Sequence, residues 1–146
     1  MRRLAAVIPF AVVVAVGLFG FGYAGGWLGE LAHGIYNGLV ESGTAPRTAA
    51  LAVLLGADAL AATVVLAVSL VWGDRLPSGL PHVAFGVFLP LTLAATQARF
   101  FELAGSVGGL ADSFGAYNFA AMFLLTIVVT ETGVTLSRRR AERRIA

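Results

Sequence analysis

Apart from its tyrosines, the acid–base chemistry open to this chain rests on eight carboxylates and two imidazoles, in 146 residues without a cysteine. With no thiol, disulfides, thiolate metal sites, iron–sulfur clusters and thiol redox chemistry are excluded. One pair has the spacing of a ligand set. Glu30-x-x-His33 places a carboxylate and an imidazole on one helical turn, as in the carboxylate-bridged dimetal centres of four-helix bundles. Such a centre needs a second pair, and the nearest candidate, Glu102, is followed three residues on by Gly105. A haem held by two histidines fails as well, because His33 and His82 fall at opposite edges of an apolar slab about 30 Å thick. No metal and no cofactor are expected.

Glu30 and His33 also belong to a longer pattern. Glu30, His33, Asn37 and Glu41 recur at intervals of three, four and four, which sets them on one helical face, with Leu28, Leu31, Ile35 and Leu39 on another. The segment Trp27–Glu41 therefore reads as an amphipathic helix outside the membrane core, lying along the surface or continuing a preceding helix outward, with Trp27 and Tyr36 suited to headgroup level. Its polar stripe is either a solvated face or the lining of an outward-facing cavity.

A second group of residues is ionisable but lies in apolar surroundings. Asp58 is twelve residues beyond Pro46, about 17 Å along a helix and close to the membrane midplane. A central Asp costs roughly 2.5–3.5 kcal/mol on insertion scales, so Asp58 should point into the bundle, pair, or carry a proton. Glu131 lies in the inner half of another apolar run among Thr126, Thr130 and Thr135. Thr92, Thr96 and Arg99 share a stripe, with Gln97 beside it, and Arg99 and Glu102 at i, i+3 can neutralise each other. Two readings compete for these groups. They are either hydrogen bonds between helices or subunits, typically under about 2 kcal/mol each, or stations on an ion or proton path.

The elements that must position these side chains are apolar runs. The 26 residues from Leu4 to Gly29 carry no charge, and three further stretches of similar character follow. A bilayer core about 30 Å thick needs roughly twenty helical residues at 1.5 Å each. The spans are placed at about 4–25, 46–72, 81–104 and 114–136, with a basic tail at 137–146. A Gly-rich turn at Gly25-Gly26 closes the first. Pro46 and Pro81 open the second and third, where proline's missing N–H costs nothing, and Asp112-Ser113 is a candidate N-cap for the fourth. Pro90 should free the carbonyl of Gly86 and loosen the third helix. The runs are too long and lack the alternation of a barrel wall. Hydrophobic residues make up 58%, charged residues 12%, and the mean hydropathy is +0.86, against about 25% charged in soluble domains. The expected fold is an all-α membrane protein: one compact four-transmembrane-helix bundle over 1–146, with an amphipathic interfacial helix between helices 1 and 2.

Small residues supply the close-packing pattern of membrane helices. Gly22 and Gly26 form a G-x-x-x-G continued by Gly29, and Ala57/Ala61 and Ala94/Ala98 repeat the spacing. A faint repeat pairs Glu30-Leu31-Ala32 with Glu102-Leu103-Ala104 at an offset of 72 and Asp58 with Glu131 at 73. If genuine, it relates the halves by an axis along the membrane normal, although identity elsewhere is negligible.

All ten basic residues are arginine. With both termini inside, eight lie on the cytoplasmic side, and Arg47 and Arg99 lie outside. The positive-inside rule therefore gives an N-in, C-in protein of the cytoplasmic or inner membrane with an even number of spans. The first span reads as a retained signal anchor, because its apolar run exceeds the 7–15 residues of a cleaved signal core. The Arg-rich tail reads as an anchor against anionic headgroups, with no nucleic-acid partner expected.

The bilayer is the primary partner, with other membrane subunits or self-association next. The favoured function is a non-enzymatic subunit or assembly partner of a membrane complex. The alternative is a small transporter or proton-coupled permease using Asp58 and Glu131. A membrane enzyme comes third, for want of a nucleophile–base constellation.

Overall fold

The computed structural model describes residues 2–77 and 79–145. Of the arginines behind the charge asymmetry, Arg2, Arg3 and Arg144 have side chains outside the described residues. The described chain forms four long helices and no strand: α1 (Arg2–Glu41), α2 (Pro46–Trp72), α3 (Leu80–Ala104) and α4 (Leu110–Ile145). Each is long and apolar enough to cross a membrane, so the chain is an all-α, multi-pass membrane bundle, with the start of α1 and the end of α4 at one end of it.

α1 is a single rod of 40 residues, about 60 Å long. It passes through Gly25-Gly26 without turning, so the amphipathic segment is the distal part of α1 rather than a separate helix. Glycine inside a helix costs only about 1 kcal/mol, and here it permits the close contact described below. α1 ends where Gly43, with φ +97°, takes the left-handed conformation. The Gly43 N–H donates to the Val40 carbonyl and the Thr44 N–H to Leu39, a Schellman closure.

α4 starts at Leu110, earlier than the Asp112-Ser113 cap would place it. Asp112 sits inside the first turn, where the helix dipole favours a carboxylate, and the Ser113 hydroxyl donates back to Gly109. The basic segment continues the same helix to Ile145. α3 has Pro81 in its first turn and five residues of π-helix, Ala84–Phe88, ending two residues before Pro90. Proline lacks the N–H that would bond the Gly86 carbonyl, and the ladder widens there so that Leu89 N–H reaches Ala84.

Packing pairs helices that run the same way. Gly17 lies under the Phe88 ring, Gly25 against Ala95 and the Thr92 carbonyl, and Gly29 against Arg99 and the Thr96 carbonyl, so α1 and α3 are parallel and in close contact. α2 and α4 are likewise parallel, with Asp58 meeting Asn118, Ser69 meeting Gly133, and Gly73 meeting Val134. α3 packs on α4, and α2 makes little contact with α3, giving the order α1, α3, α4, α2 around the bundle. A two-fold axis along the bundle would set equivalent helices diagonally opposite, whereas α1 neighbours α3 and α2 neighbours α4, so the proposed repeat symmetry is not present.

The α1 ridge differs from the expected one. Gly25 and Gly29 face α3, whereas Gly22 and Gly26 have open space beside them. Ala57 and Ala61 line a groove rather than a helix contact. At the end of the bundle that holds the α1–α2 and α3–α4 connections, Ala32, Ala50, Leu54, Phe100 and Leu110 form a buried core. From there α2 diverges from α1 and α3, leaving an apolar lateral groove of about 600 Å³.

Candidate intramembrane polar site

Among the described residues, the charged side chains within the spans fall into three separate clusters. In the first, Asp58 is 5% exposed and lies one turn along α2 from Leu54. Its carboxylate accepts a hydrogen bond of 2.7 Å from the Asn118 side-chain amide. The apolar helices force this arrangement, since a carboxyl facing hydrocarbon would be unsolvated and α4 offers an amide at the right height. The expectation that Asp58 points inward and pairs agrees with this geometry.

The second cluster joins α3 to α4 near the end that carries the termini. His82 Nε2 lies 2.8 Å from Glu131 Oε2, with the Glu131 side chain 65% exposed. Glu131 is thus on the perimeter of the bundle, and the inward threonine face of α4 is made by Thr126 and Thr130 instead. Their hydroxyls donate to the Met122 and Thr126 carbonyls of their own helix. Thirteen residues separate Glu131 from Asn118, about 20 Å along α4, so Asp58 and Glu131 do not share a site.

The third cluster clasps α1 to α3. Arg99 donates to Glu30 at 2.8 Å and to Glu102 at 2.9 Å. The i, i+3 pair read from the sequence is present, and Glu30 adds a link between helices. The polar stripe of α1 is therefore divided among different surroundings. Glu30 is held by Arg99, and His33 stacks on Tyr36 and meets Phe100 edge-on, with ring centroids 6.0 and 6.5 Å away. Asn37 and Glu41 are exposed. Leu28, Leu31, Ile35 and Leu39 line the lateral groove. Among the described residues no three His, Asp or Glu side chains converge as metal ligands would.

Two participants were not singled out from the sequence. Asn118 is the only carboxamide in the fourth run, and a lone amide in an apolar helix is the signal that could have paired it with Asp58. Ser69 is fully buried against Gly133, and its hydroxyl has no hydrogen-bond partner among the described residues. No protein-family model, no curated protein and no solved structure matches this chain.

Proposed function

We propose that the chain is a non-enzymatic integral subunit that works by packing against another membrane helix, either of a partner chain or of a second copy. The observation that carries this reading is the open side of α1. Gly17, Gly25 and Gly29 are filled by α3, while Gly22 and Gly26 have no atom of another described helix within 4 Å of where a Cβ would stand. Phe19 and Tyr23 beside them are 79% and 86% exposed. In hydrocarbon, where apolar burial drives nothing, close backbone approach across small residues is a main source of helix association.

The internal pairing of the charged groups supports the same reading over transport. Asp58 closes on Asn118, Arg99 on Glu30, and Glu131 on His82, each pair joining two helices, while Arg99 also pairs with Glu102 along α3. Between Asn118 and Glu131 the buried hydroxyls of α4 are turned to its own backbone. Over that interval α4 carries no titratable side chain.

The test is the size of the purified particle in mild detergent, for wild type and for Gly22→Leu/Gly26→Leu. A wild-type complex that the double substitution reduces to a folded single chain is the expected outcome. Wild type that is already a single chain in mild detergent and in nanodiscs would count against the reading.

A further inference from the structure

Where α2 ends, at the end of the bundle that holds the start of α1 and the end of α4, the chain forms a half-open cavity of about 290 Å³. Its walls include Leu70 and Val71 of α2, Asp74 and Arg75 of the following turn, and Ser137 and Arg140 of α4. Close contacts between the helices, Ser69 on Gly133 and Gly73 on Val134, bring the two segments to this point. A clasp then fixes them. The Ser137 hydroxyl donates to Asp74 Oδ1 at 2.9 Å, and the Asp74 N–H donates to the same Ser137 oxygen at 3.2 Å. The result is that Arg75 and Arg140, 65 positions apart in the chain, face one cavity. Among the described residues neither guanidinium has an ion-pair partner.

We propose that this cavity holds the phosphodiester of an anionic phospholipid, with the lipid's chains passing outward along Leu70 and Val71. Guanidinium groups match phosphate oxygens in bidentate geometry, and two of them outweigh the one carboxylate, whose Oδ1 is engaged by Ser137. The height is that of a headgroup. Trp72, 47% exposed, stands at the adjacent end of α2, as interfacial tryptophans do, and Val71, 56% exposed, lies on its apolar side. The volume suits a headgroup rather than a whole lipid, being room for roughly ten waters at about 30 Å³ each. The further arginines of the tail, Arg138, Arg139 and Arg143, raise the local positive potential but do not line the cavity. The distinction separates a site from diffuse attraction.

The full chain in phosphatidylcholine nanodiscs containing a minor share of phosphatidylglycerol provides the test, with retained lipid counted by native mass spectrometry. Wild type should keep one phosphatidylglycerol. Arg75→Gln and Arg140→Gln should each lower its retention about fivefold, as expected for one basic contact at a membrane surface, while Arg143→Gln should leave it unchanged. If Arg75→Gln misfolds by circular dichroism, Arg140→Gln on the helical tail carries the comparison. Equal losses in all three variants would show tail attraction and overturn the site. Saturable binding of inorganic phosphate in pure phosphatidylcholine discs, with no competition from phosphatidylglycerol, would overturn the lipid as its source.

Discussion

Asn118 of α4 gives its side-chain amide to the carboxylate of Asp58 on α2 across 2.7 Å of buried interior. This contact replaces water for the costliest side chain of the spans and fixes the height at which two parallel helices meet.

Substitutions at Asp58 should separate a tie from a proton path. Asp58→Asn keeps shape and hydrogen bonding, so folding should be nearly unchanged, whereas Asp58→Leu strands Asn118 and should cost about 1–2 kcal/mol. Unfolding in mixed micelles of these variants and of Asn118→Leu gives the coupling directly. In vesicles with an internal pH dye, wild type and Asp58→Asn should pass protons at the same background rate. A flux that Asn abolishes in a folded protein would reverse this assignment.

The two glycine ridges of α1 should respond oppositely to bulk. A side chain at Gly25 or Gly29 collides with the α3 backbone, so Gly25→Leu should destabilise the single chain by about 1–3 kcal/mol or dislodge α1. Gly22→Leu projects into open space and should leave single-chain stability nearly unchanged. Equivalent losses at both positions, measured on the single chain, would contradict the assigned rotation of α1.

Cysteine labelling should resolve the distal part of α1. In a bilayer, Asn37→Cys and Glu41→Cys should react with a membrane-impermeant maleimide, while Leu31→Cys and Ile35→Cys, which line the lateral groove, should be shielded by lipid. Uniform labelling around 31–41 would mean the groove is open to water.

Arginine placement makes a prediction about orientation. Reporter fusions at residues 1 and 146 and in the 74–80 connection are expected to read cytoplasmic, and those near Glu41 and Ser106 external. A mature protein lacking about 24 N-terminal residues would instead favour signal cleavage.

The sequence by itself determined the number of spans, the ends of the second and the third, and the class of the protein, because these depend on local properties: apolar length, proline at a first turn, charge beyond the ends. The inward setting of Asp58 was legible too, since an isolated carboxyl in an apolar run has few tolerable surroundings. Tertiary structure alone decided rotation and neighbourhood. A helix that is apolar all round has no sequence-encoded inner face, so nothing in the runs said that Gly25 and Gly29 rather than Gly22 and Gly26 would meet α3. For the same reason Glu131 and Thr130, adjacent in sequence, went to opposite sides, one to the perimeter with His82 and one to the interior. The unbroken course of α1 through Gly25-Gly26 was decided there as well. Close contact with α3 offsets the small helical penalty of glycine, and that contact exists only once the helices are assembled.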